Sequence, residues 1–179
     1  MPRTIGYHYV RTGYGLWLPG DERGHWSEAW DEQIGFIEPH ALHAGDPVRK
    51  RMAEERMAHP PVRWTDAMIA TIAGVLGDCA AQSPWTIAAA AIEETHFHVA
   101  LTHSPLDIDR TIKWIGQEMT KAVHLETPHA GPVFCKGRWR QFIFEPSHWR
   151  NVIRYIEQHN LRRGLLAKPY AFIDGTARG

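Results

Sequence analysis

Apolar residues recur along the chain with two periods, one near two and one near three and a half, and the switches between them divide it into elements. From Thr4 to Leu18 the run is rich in Tyr, Val and Trp and predicts a strand bent at Gly13 and Gly15. From Pro19 to about Arg63 the pattern lapses into Pro, Gly, His and charged residues, with one short helical pattern from Val48 to Met57. A stretch of that length without periodicity reads as a functional insertion or excursion. Order returns at Thr65, an N-cap residue followed by Met68, Ile69, Ile72, Val75, Leu76 and Cys79 at helical spacing, with a stop near Ser83-Pro84. Trp85 to Ile92 and His96 to Thr102 are strand-length runs about a turn at Glu93-Glu94, which together predict a hairpin. Asp107 or Asp109 opens a second helix with Ile108, Ile112, Ile115 and Met119 on one stripe. Val133 to Phe144 supplies one or two short strands around Gly137, and Pro146 or Ser147 opens a third helix. Trp149, Val152, Ile153 and Ile156 form its buried face and Gly164 its stop.

With the insertion set aside, the order approaches βαββαβ followed by a helix. That predicts an α+β fold, a ferredoxin-like sandwich with one antiparallel sheet backed by two helices and a further C-terminal helix. The sheet face opposite the two helices is then available for a site. The chain reads as one domain over 1–179, with the loop-rich insertion at about 19–63 and a short tail at about 167–179.

Charge changes this picture in one respect. The formal net charge is zero, which argues against coating duplex DNA by bulk electrostatics. From Pro128 to Gly179, however, nine Lys or Arg stand against three acids, so this third carries about +6 and suits a localised polyanion groove. No apolar run approaches the roughly 20 residues of a membrane span, and Met1-Pro2-Arg3-Thr4 lacks a signal peptide's apolar stretch, so the expectation is cytoplasmic with no membrane partner. Cys79 and Cys135 are expected to be free thiols.

The chemistry concentrates on the strand Thr95 to Thr102. Side chains alternate along a strand, so His96, His98, Ala100 and Thr102 share one face while Phe97, Val99 and Leu101 share the other. Two imidazoles two residues apart on one face can reach one metal ion. Alone, such a pair is weak evidence in a chain with twelve histidines. The last helix adds Tyr155 and, one turn on, His159, both bordering the apolar stripe of Val152 and Ile156. Such a helix can present a tyrosine and a third metal ligand to a sheet-mounted ion. Arg150, Arg154, Arg162 and Arg163 surround it and Arg138 and Arg140 precede it, as phosphate contacts would require.

His96-Phe97-His98, an amphipathic helix, then Arg154-Tyr155-Ile156-Glu157-Gln158-His159-Asn160-Leu161-Arg162-Arg163-Gly164-Leu165 resembles the single-tyrosine HUH transposases of the insertion-sequence-200 type. The likeness is nearer to the REP-associated tyrosine transposases, whose final helix ends in a Tyr-Ile…Asn…Gly-Leu pattern. Tyr14-Gly15-Leu16-Trp17-Leu18-Pro19-Gly20-Asp21-Glu22-Arg23-Gly24 also looks like the first strand and following loop of some transposase-like members. The resemblance implies a ferredoxin-like palm, Mg2+ or Mn2+, and single-stranded or hairpin DNA as substrate. It implies Tyr155 as nucleophile, forming a 5′-phosphotyrosine and a free 3′-OH, with His96, His98 and His159 as ligands. Some members exchange the tyrosine helix within a homodimer and REP-type members act as monomers, so both states stay open. Departures are His159 where others place Gln, His159-Asn160-Leu161 in place of an Asn-Pro step, and Glu94-Thr95 before the triplet.

Plainer readings stand beside these. Tyr155 also fits a boundary tyrosine, His159 a complement to the helix macrodipole, and each arginine a solvated surface charge. Among the eight tryptophans, which include Trp17, Trp26 and Trp30, Trp114 and Trp149 sit near apolar stripes, and Trp139, between Arg138 and Arg140, is the best base-stacking candidate. His8, on the first strand, is a candidate neighbour of the metal, although Tyr7-His8-Tyr9 offers no spacing argument, and Tyr170, in a Pro-containing tail, is a poor nucleophile candidate. Two other functions remain: a catalytically degenerate DNA-binding regulatory module, and a metal-dependent hydrolase using water.

Overall fold

In the computed structural model, residues 3–26 and 42–173 are described. Trp30 and the chain beyond residue 173 lie outside the described residues, and Trp26 is described in its backbone only. Four strands form one antiparallel sheet: β1 (Gly6–Thr12), β4 (Ile87–Ile92), β5 (His96–Thr102) and β6 (Trp139–Ile143), in the order β4-β5-β1-β6. Between β1 and β4 the chain forms the short pair β2 (His25–Trp26) and β3 (Leu42–His43), then helices α1 (Pro47–Glu55) and α2 (Asp66–Ala81). Helix α3 (Ile108–Glu126) joins β5 to β6, and α4 (Pro146–Arg162) follows β6. The outer strands β4 and β6 thus flank a central β5-β1 pair, the split βαβ arrangement expected of a ferredoxin-like sandwich.

The helices start where the caps are. Thr65 accepts from the Met68 amide at the head of α2, and Asp107 accepts from the Arg110 amide at the head of α3. Helix α4 begins at Pro146, whose missing N–H costs nothing there, and ends in a Schellman turn. In that turn the Gly164 amide donates to Leu161 O and the Leu165 amide to Asn160 O, with Gly164 at φ +74°.

One sheet face carries Tyr7, Tyr9, Phe97, Val99 and Leu101, packed under Met68, Ile72 and Leu76 of α2 and Ile112, Ile115 and Met119 of α3. The opposite face is not left open as the sequence pattern suggested. Helix α4 lies on it, seating Trp149, Val152, Ile153 and Ile156 on Ala88, Ala89, Ala91, Ala100 and Ile143. Alanines in β4 keep that face flat enough for a helix to approach closely. Gly6 serves the same end, because a Cβ there would stand 2.6 Å from the Trp149 ring and 2.5 Å from Leu101 O. A register shift between Ile87 and Ala89 leaves Ile87, Ala90 and Ile92 under α2 and α3, and Ala89 and Ala91 under α4.

The first strand stops at Thr12, short of the expected Leu18, because the chain then turns at Gly15 (φ +72°) into a folded loop. The predicted helix near Val48 to Met57 exists as α1, capped by Asp46, yet buries no residue. At the other end, residues 165–173 run along the outer edge of β4: Asn160 Nδ2 donates to Ala90 O and to Ala167 O, and Ile173 bridges Ile87. That covers a strand edge that would otherwise offer unpaired backbone groups. Cys79 and Cys135 are both free, and among the described residues no helix is long and apolar enough to cross a membrane.

Candidate metal centre

Where α4 passes the ends of β4 and β5, three histidines meet. Strand alternation places His96 and His98 on the α4 side of β5, and the helical turn from Tyr155 brings His159 over them. One potential ligand atom from each of His96, His98 and His159 lies within 4.8 Å of the others.

Each imidazole also has its Nδ1 engaged. His159 Nδ1 lies 2.6 Å from Glu93 Oε1, His98 Nδ1 lies 3.0 Å from His8 Nε2, and His96 Nδ1 lies 2.8 Å from Thr95 Oγ1. With Nδ1–H donating in each case, the neutral ring keeps its Nε2 lone pair for a ligand, the tautomer that metal-binding histidines use. His159 Nε2 is buried and makes no hydrogen bond among the described residues. An orphaned buried nitrogen is costly, and a bound cation would satisfy it. The residues therefore fit a metal ion.

Electrostatics favour the same state. Burial, and then His96, push the His98 imidazole down to about 2. Burial, and then His148, push His8 down to about 4, and burial is also the first cause of the lowered value at His96. Rings that resist protonation keep their lone pairs available.

Tyr155 is 47% exposed and reaches the centre from its rim. Its ring centroid lies 5.4 Å from His98, 4.8 Å from His159 and 6.1 Å from His8, edge-on to each. Helix α4 packs on the sheet face that carries the imidazoles, so the nucleophile candidate meets them there. Trp139 in β6 points to the same face, 5.2 Å from His8, and is 41% exposed.

The fold is similar to that of solved transposases. One such structure, of a REP-associated tyrosine transposase bound to a REP hairpin, has a TM-score of 0.47 and 14% identity, covering 96% of this chain and 78% of that one. Another, described as a "putative transposase" from Deinococcus radiodurans R1, has a TM-score of 0.43 and 14% identity, covering 89% of this chain and 93% of that one. No family model and no curated protein matches the sequence.

The arginines singled out in the sequence divide. Arg150, Arg154 and Arg162 are exposed along α4, and Arg138 is exposed just before β6. Arg140 lies on the opposite sheet face, where its Nη2 meets Asp109 at 2.8 Å. Arg163 donates to Ile92 O and so ties the end of α4 to β4. Of the tryptophans, Trp64, Trp85 and Trp149 are buried, whereas Trp17 and Trp139 are exposed. Tyr170 packs against the core with Phe172.

Sequence reasoning missed Glu93 and Thr95 behind the ligands, and it named His8 as a neighbour of the metal without a spacing argument to place it. His8 carried a signal: in the observed register it faces Ala100 while Val10 faces His98, so β1 places its even-numbered side chains on the histidine face. That signal needs the strand pairing to be read. Glu93 was legible only as part of a turn.

Proposed function

We infer that the protein is a metal-dependent enzyme that cleaves and rejoins single-stranded DNA through Tyr155. The single observation carrying this reading is the placement of an exposed tyrosine ring against three converging histidines, one with an orphaned buried Nε2. A water-using hydrolase has no need of a tyrosine there.

His96, His98 and His159 would hold the ion, whose chemistry when bound is to draw charge from a phosphate oxygen as the pentavalent transition state forms. Of the two ions the resemblance implies, Mn2+ accepts imidazole nitrogen more readily than Mg2+, which keeps to oxygen ligands and water. Glu93, His8 and Thr95 orient the three rings. Tyr155 Oη attacks phosphorus in line, and the P–O3′ bond breaks. The phenolic proton departs as the 3′ oxygen takes one up, leaving a 5′-phosphotyrosine and a free 3′-OH. The new ester conserves the phosphodiester bond, so the reverse attack by another 3′-OH joins strands without ATP. Arg138, Arg150, Arg154 and Arg162, all exposed, would neutralise backbone phosphates, and Trp139, beside His8, would stack a base. The substrate class is single-stranded DNA flanked by a hairpin. One domain over 1–179, as a monomer or a homodimer, is the matching organisation.

Incubation with hairpin-bearing oligonucleotides and Mn2+ tests this. The expected product is a denaturation-stable protein–DNA band, lost in Tyr155→Phe while DNA binding is retained. Cleavage without such a band would instead indicate a hydrolase, and binding without cleavage a regulatory module.

A further inference from the structure

The loop from Tyr14 to Gly24, which leaves β1 beside the metal-bearing strand, is built more rigidly than its exposure requires. It begins where Thr12 pairs with His96 and the Gly13 amide donates to Thr95 O. Its centre is Asp21, 4% exposed, whose carboxylate takes Arg23 Nε at 2.6 Å and Arg23 Nη2 at 3.0 Å. The same Nη2 donates to Leu16 O at 2.7 Å. Arg23 Cζ in turn lies 4.8 Å from the centroid of Trp17, and Trp17 Nε1 donates to Gly24 O at 2.6 Å. Lys50 of α1 adds a second cation 3.6 Å from Asp21. Glu22 also acts on Arg23, so two carboxylates stand against the two cations, and the guanidinium is carried on a side chain 54% exposed. Gly20 (φ +87°) lets this loop press on α1, since a Cβ there would stand 2.4 Å from Asp46 O.

A guanidinium held in a fixed plane over an indole that stays 41% exposed combines the two contacts single-stranded nucleic acid needs, a phosphate anchor and a stacking surface. We propose that Trp17 and Arg23, locked by Asp21, form a second subsite for single-stranded DNA that grips the strand next to the nucleotide presented to Tyr155. The subsite rests on the strand-cleavage reading for its role and on its own geometry for binding. Its cation is pre-organised, so no side-chain freedom is lost when phosphate arrives.

The test uses the full-length chain with Tyr155→Phe, which binds without cleaving, and a fluorescent oligothymidylate. Arg23→Gln is expected to weaken binding about tenfold and to flatten the dependence of log Kd on log salt by about 0.7, one phosphate's share for a single strand. Trp17→Ala is expected to weaken binding about tenfold with the salt dependence unchanged. In the chain with native Trp17 and Arg23, ultraviolet crosslinking to a bromouracil-substituted strand should mark the peptide containing Trp17. This readout does not depend on how the variants fold. Unchanged affinities together with no crosslink in that peptide, or no single-strand binding at all, would overturn the subsite. Weakened binding and a crosslink, with no phosphotyrosine formed by the native Tyr155 chain, would keep the subsite and discard the cleavage reading.

Discussion

The two faces of the sheet solve different problems with neighbouring residues of one strand. On one face of β5, Phe97, Val99 and Leu101 are almost wholly buried in a core of aromatic and aliphatic side chains beneath two helices. On the other, His96, His98 and Ala100 meet α4 across a pavement of alanines. Large side chains fill the first face by shape and leave no room for ligands. Small ones on the second let a helix approach closely enough to carry Tyr155 and His159 over the histidines. The first face stabilises, and the second gives its space to chemistry.

That division is exposed to test at adjacent residues. Phe97→Ala should cost about 3–5 kcal/mol of stability in denaturant unfolding, whereas His98→Ala should cost far less yet abolish Mn2+ binding by calorimetry. Equal stability losses would erase the distinction between the faces. Ala91→Leu, on the α4 side, should cost about 1–3 kcal/mol by overpacking and should reduce DNA cleavage more than Mn2+ affinity for the His96–His98 pair, because it lifts the helix bearing Tyr155. A loss of stability with undiminished cleavage would show that α4's seat does not govern the site. Glu93→Gln, which weakens the orientation of His159 while leaving both cores intact, should lower Mn2+ affinity about 10–100-fold with little change in melting temperature. Unchanged affinity would remove Glu93 from the site.

The smallest effect concerns acid. Burial holds His8 near 4 in the folded chain, below the 6.5 of an ordinary histidine, so the unfolded chain takes up protons first as pH falls. Stability is intact above about 6.5 and is lost progressively down to about 4, beyond which the folded chain protonates too. Between about pH 7 and about pH 6, His8 should contribute about 0.7 kcal/mol of that loss. His8→Gln should flatten the slope measured in metal-free protein, and an unchanged slope would place the acid sensitivity elsewhere.

Local patterns carried much of this molecule. Thr65 and Asp107 mark helix starts by their own side-chain chemistry, Gly164 marks a helix end by its φ, and strand alternation alone separates His96 and His98 from Phe97 and Val99. That Tyr155 and His159 share one side of α4 also follows from helical spacing. What could not be read was everything set by pairing at long range. His8 reaches His98 only because β1 lies beside β5 in one register, Glu93 reaches His159 only because α4 crosses the hairpin turn, and Arg140 turns away because it pairs with Tyr9 on the face covered by α2 and α3.

The loop after Thr12 shows the same limit. Its glycines and charges are plain in the sequence, but nothing there says that Arg23 closes on Asp21 instead of reaching solvent.

The sequence by itself therefore determined the elements, their order, and which residues share a face, because those follow from interactions within a few residues along the chain. The tertiary structure alone decided that α4 covers the second sheet face, that each histidine has a partner behind it, and that Tyr155 stands beside them. Those contacts join residues far apart in the chain, 90 positions for His8 and His98 and 66 for Glu93 and His159. The alternating pattern and the turns limit each strand's register, but which strands lie side by side, β1 between β5 and β6, is decided only when both sheet faces are buried together.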